Sequence, residues 1–155
     1  MMQQLVAHSM FYGIFRWIHL VAVVAVIGPS LVMRYVVLPS AAELDEKPRE
    51  DFLKRAGRRL LAIVPVAALF LIVSGIVNLV RAVTVAPAPP PSYMILFSIK
   101  FILAIVVFVI AGGLAATTRP PNLFNRNPAR WHAMVVHLGL VVMALGVALR
   151  FMSGK

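Results

Sequence analysis

Residues Leu60 to Val80 form an unbroken run without a single charged side chain. That run is long enough to decide the solvent, because a helix needs about 20 apolar residues to cross roughly 30 Å of hydrocarbon. Three more runs of comparable length follow the same pattern: Phe11 to Leu38, Tyr93 to Thr118 with Lys100 as its lone charge, and Trp131 to Phe151. In lipid each must be helical, since an isolated strand leaves backbone donors and acceptors unpaired. Composition agrees. Hydrophobic residues make up 61% of the 155 and charged residues 13%, against about 45–50% and 25% in soluble domains. A soluble domain of this size cannot hide that much apolar surface, and disorder requires low hydrophobicity. The expected fold is an all-α, integral membrane, four-helix antiparallel bundle. It is read as one transmembrane domain, 1–155, with spans at about 11–38, 60–82, 93–118 and 131–151.

The stretch Met1 to Met10 has no Lys or Arg, and the apolar run after it is too long for the core of a signal peptide. The first span is therefore expected to be retained. Short connections make neighbouring helices antiparallel. The first connection, Ala41 to Arg59, holds all five acids together with Lys47, Arg49, Lys54, Arg55, Arg58 and Arg59. Pro48 suits a first helical turn, and Glu50–Lys54 and Asp51–Arg55 have i,i+4 spacing, so span two is expected to begin early as a water-exposed helical extension. Val85 to Ser92 reads as a stiff polyproline turn. Arg119 to Arg130 reads as a polar loop in which Pro120, Pro121 and Pro128 block helix. Pro29 and Pro65 are expected to kink spans one and two.

Ten of the 15 Lys and Arg fall on the side of the first and third connections. The excess places that side in the cytoplasm and both termini outside, as in a bacterial inner membrane. The net charge of +10 then serves anionic lipid headgroups, Arg58 and Arg59 at the interface among them, rather than nucleic acid. The absence of cysteine excludes thiolate metal sites and disulfides.

Ionisable groups inside a span are costly and mark functional candidates. Helical rise puts His19 and Lys100 roughly 7 and 9 Å from the midplane toward the termini, with Asn78 and Arg81 of span two nearby and Arg16 a turn before His19; Lys100 reads equally as a long side chain that snorkels to the outer interface. His137 falls roughly 6 Å to the other side, in another layer. It reads mainly as a buried imidazole bonded to a neighbouring helix, and secondarily as a metal ligand. His132 beside Trp131 reads as interfacial, and His8 as solvated. The pattern contains neither a Walker loop nor HExxH nor paired carboxylates, and the eight Met form no tight array.

Several segments resemble known membrane families. Arg16 to Val37, RWIHLVAVVAVIGPSLVMRYVV, resembles the first helix of HemJ-type protoporphyrinogen IX oxidases and of CopD-type copper-resistance membrane proteins, with an early basic residue and His followed by Ala-x-x-Gly. Gly57 to Val80 resembles the HemJ-type helix carrying Arg-Arg-Leu-Leu, a central Pro and a later Gly. SIKFILAIVV (Ser98 to Val107) resembles the Lys-bearing third helix of both families, and the terminal RFM resembles the end of the last HemJ-type helix. The chain departs from the pattern at Val26-Ile27, at Phe101 to Thr118 and at Trp131-His132-Ala133.

The resemblance implies a bundle that binds haem b, with His19 as iron ligand and Lys100 in the activity. It implies oxidation of protoporphyrinogen IX, with electrons passing to a quinone or a membrane redox partner. Arg16, Asn78 and Arg81 are the further cofactor-binding candidates. Two alternatives stand beside this reading: a CopD-type copper-handling protein, and a non-catalytic subunit of a larger membrane complex. Partners beyond the bilayer, whether a homo-oligomer or a larger complex, stay open.

Overall fold

The computed structural model describes residues 2–84, 90–116 and 123–153. Among them every regular element is helical: α1 (Met2–Val32), a π-helical turn (Met33–Val37), α2 (Leu38–Ala41), α3 (Glu46–Leu61), α4 (Ile63–Thr84), α5 (Pro91–Ala115), α6 (Leu123–Arg126) and α7 (Pro128–Ser153). Four helical stretches are long and apolar enough to cross a membrane: Met10–Ala41, Glu46–Thr84, Pro91–Ala115 and Pro128–Met152. Large apolar side chains point outward along all of them, with Trp17 70% and Phe151 80% exposed. In water that surface would be untenable; in a bilayer it is the lipid-facing wall.

The prolines shape the helices locally. Pro29 lies inside α1, and the π-helical turn occupies the stretch between it and Pro39, where the Leu38 N–H reaches back to the Met33 carbonyl. A proline supplies no N–H and crowds the carbonyl four residues earlier. Pro65 does this to Leu61, and the helix is interrupted there by a turn at Ala62, between α3 and α4. The early helical start of span two is borne out, with Glu46 opening α3 and Pro48 in its first turn.

Some boundaries differ from expectation. Span three stops at Ala115, where Ala116 turns extended and its N–H bonds the Gly112 carbonyl; residues 117 and 118 lie outside the described set. The third connection contains a helical turn, Leu123–Arg126, and Pro128 opens α7 instead of blocking it, because the first helical position has no use for the missing N–H. Of the expected polyproline turn, 85–92, residues 85–89 lie outside the described set, as do Pro120 and Pro121; Pro90 is extended, but Pro91 and Ser92 already belong to α5, because proline is tolerated in a first helical turn.

The helices pair antiparallel. The Arg81 guanidinium lies 4.8 Å from the Tyr12 ring centroid and His19 bonds Ser74, so seven residues forward on α1 match seven back on α4. α5 packs along α7, α1 crosses to α7, and α4 and α5 meet sparsely. Ile27 packs where a Gly139 Cβ would stand, so glycine lets α1 and α7 approach closely. Apolar packing is concentrated at two levels. The larger cluster joins Val26, Val64, Ala67, Val107, Ile110, Ala111, Leu114 and Val135 in the half nearer the connections. The smaller joins Ala82, Tyr93 and Leu149 near the ends of α4 and α7.

Candidate functional site

Between the two apolar clusters lies a polar layer to which all four long helices contribute. α1 supplies His19, α4 supplies Ser74 and Gly75, α5 supplies Lys100 and α7 supplies Gly146. His19 and Lys100 are half-buried and Ser74 is 1% exposed. The Lys100 ammonium is near enough to the His19 ring to act on it electrostatically. Two glycines border these side chains at ordinary contact distance. A Cβ on Gly75 would stand 3.6 Å from His19 Cε1, and one on Gly146 would stand 3.5 Å from Lys100 Nζ.

The hydrogen bonds around His19 fix its chemistry. Ser74 Oγ lies 2.5 Å from the Phe70 carbonyl, which can only accept, so the single hydroxyl proton points there. Ser74 Oγ also lies 2.9 Å from His19 Nδ1. With its proton committed, the hydroxyl must accept, and Nδ1–H donates. In the neutral tautomer with the proton on Nδ1, Nε2 carries a lone pair that a metal or an external donor can meet. A ligating imidazole needs this arrangement, in which the far nitrogen is held by a partner.

Lys100 has a different need. All five Asp and Glu lie within residues 43–51, on the far side of the bundle, so no carboxylate side chain of this chain shares its level. An unpaired ammonium costs about 2.5–3.5 kcal/mol at mid-membrane on the insertion scale. The layer therefore suits an anionic group brought in from outside.

The other sequence candidates are placed as follows. Asn78, expected near His19 by depth, stands one turn past Ser74 and is half-buried; the bond to the His19 ring is made by Ser74. Arg16 is half-buried one turn before His19. Arg81 lies about 10 Å beyond Ser74 along α4, at the level of Tyr12, outside the His19 layer. His137 is exposed, and its Nδ1–H donates to the Ala133 carbonyl of its own helix at 2.7 Å; the expected bond to a neighbouring helix is absent, because the i−4 carbonyl is closer at hand on the lipid-facing side. His132 is not interfacial. It is 1% exposed, with Nδ1 3.1 Å from Ser30 Oγ across the α1–α7 contact, because helical register turns it inward while Trp131 packs against Phe124. The side chain of His8 lies outside the described set. Among the described residues no three or more His, Cys, Asp or Glu gather as a metal site.

Ser74 is not among the sequence candidates, and its bond to His19 is found only in the structure. Opposing the two span midpoints sets His19 between Ser74 and Asn78, so depth alone does not choose between them; the register of the α1–α4 contact does.

Ser74→Ala should leave the helices intact but release the His19 ring. Membrane hydrogen bonds of this kind contribute about 0.6 kcal/mol on average, so unfolding in mixed micelles should show a loss of that order. Ser74→Thr, which keeps the hydroxyl, should lose less. Equal losses for the two variants would remove the hydroxyl from the argument.

No family model, characterised protein or solved structure matches the chain.

Proposed function

We propose that this integral membrane protein is a haem b-binding redox protein, with His19 as the axial ligand. Oxidation of protoporphyrinogen IX, with electrons passed to a quinone or a membrane redox partner, is the reaction proposed for it. The single observation that carries the reading is the Phe70–Ser74–His19 chain of hydrogen bonds, which leaves Nε2 unprotonated in a layer walled by apolar clusters. Haem iron held there supplies one-electron chemistry, tuned by the ligand and its hydrogen bonding. The chain's own residues do the rest. Ser74 fixes the tautomer of His19 and the direction of its ring. Lys100 offers a charge for a propionate or for an acidic substrate. Arg16 and Arg81 add positive charge between that layer and the terminal side, a half of the bundle that holds no Asp or Glu and so favours anionic ligands. The apolar clusters keep water from the layer. The copper alternative asks for convergent ligands, and among the described residues His19 is the one imidazole in its layer.

The purified protein should show a b-type Soret band with iron in stoichiometric amount. His19→Ala should abolish or severely weaken the band while the protein still inserts. Lys100→Met should keep much of the haem and shift its potential or lower activity. Haem lost in His137→Ala and kept in His19→Ala would overturn the assignment. Stoichiometric copper with no Soret band would favour the alternative.

The compartment is proposed as the bacterial inner membrane with both termini outside, supported by the excess of Lys and Arg on the side of the first and third connections. Reporter fusions at Glu46 should read cytoplasm and at Pro90 the outside. A cytoplasmic Pro90 would invert the bundle.

A further inference from the structure

Outward side chains of a membrane bundle face lipid, and ionisable ones are rare there because hydrocarbon offers them no partner. α7 carries one. His137 is exposed, and helical rise puts it within roughly 5 Å of the middle of the span Pro128–Met152. The hydrocarbon edge is then roughly 10 Å away, too far for a short imidazole to reach. The Nδ1–H of His137 is committed to the Ala133 carbonyl at 2.7 Å, since a carbonyl can only accept. In the neutral ring Nε2 keeps a lone pair, and among the described residues no donor meets it.

The face around His137 differs from the other outward walls. Helical spacing puts His137, Val141, Ala144 and Ala148 on one stripe of α7, and all four are exposed. Gly139 and Gly146, which meet Ile27 and Lys100, lie on the opposite, inward face. Near the same depth α1, α4 and α5 present Val24, Leu69 and Ile102 outward, whereas α7 presents an imidazole and two methyl groups. A repeat of four and three residues is the seam along which two parallel helices pack, and small side chains let the backbones approach. Copies of one chain insert with one orientation. Two copies meeting on this seam are therefore parallel, and a twofold axis normal to the membrane sets each residue beside its counterpart. We propose that the His137 face of α7 pairs two copies of the chain, with the two Nε2 atoms bridged by one water. Each ring has one lone pair to fill, and a water has two O–H groups to give, so the symmetric site uses both donors and leaves neither imidazole bare. A different partner helix must bring a donor of its own to this depth; a second copy needs none. The site is incomplete within one copy. It faces away from the His19 layer and is independent of haem.

The test uses the full chain in phosphatidylcholine vesicles. Energy transfer between donor-tagged and acceptor-tagged chains should exceed that of random proximity and saturate at a dimer. His137→Leu should weaken the pairing about eightfold, the loss of two membrane hydrogen bonds at about 0.6 kcal/mol each. The chain contains no cysteine, so single substitutions report the seam directly. Ala144→Cys and Ala148→Cys should form disulfide-linked dimers on mild oxidation, and Ile102→Cys, outward on α5, should not. Transfer no greater than random proximity, or equal cross-linking of all three cysteine variants, would overturn the pairing. A dimer unchanged by His137→Leu, or one dissolved by a chelator, would overturn the water bridge.

Discussion

A histidine held by a serine whose own proton is already committed is the interaction on which this reading of the bundle turns. In water such a contact would exchange freely with solvent. Inside a bilayer the alternatives are few, because an unsatisfied donor or acceptor costs several kilocalories per mole. Phe70 lends its carbonyl to Ser74, and Ser74 lends its oxygen to His19. The chain of bonds thus runs from the backbone of one helix to the side chain of its antiparallel neighbour, and it leaves one imidazole nitrogen with a lone pair to give.

The rest of the fold serves that arrangement. Apolar clusters close the layer on both sides. Gly75 and Gly146 lie against His19 and Lys100. Lys100 faces this layer without an Asp or Glu at its own level, and the five acids gathered at residues 43–51 cannot serve it there. A second imidazole–hydroxyl pair, His132 with Ser30, is more deeply enclosed and ties α1 to α7 in the opposite half. The two pairs use the same chemistry at different exposure. The enclosed one fastens helices, and the half-buried one sits beside a charge that needs an anion.

Much of this was legible in the sequence. Leu60 to Val80 admits hardly any fate but a membrane helix, and the depth of His19 and Lys100 along their spans placed them together. Boundaries and rotations were less legible. Pro128 was read as a helix blocker because its effect depends on whether it falls inside a helix or at its first residue. His132 and His137 were assigned opposite surroundings to those they have, since hydropathy reports depth but not which way a side chain faces. Ser74 went unnoticed as a partner because its role exists only across the α1–α4 contact. The family resemblance pointed at His19 and Lys100 but carries no hydrogen bonds; the tautomer comes from the geometry alone.

That tautomer can be observed directly, and without cofactor. Solid-state ¹⁵N NMR of protein labelled at histidine, in lipid bilayers and with His19→Gln for assignment, distinguishes protonated from unprotonated ring nitrogens. His19 should give a neutral ring with Nδ1 protonated and Nε2 bare. A ring protonated at Nε2, or at both nitrogens, would contradict the arrangement from which the haem reading follows.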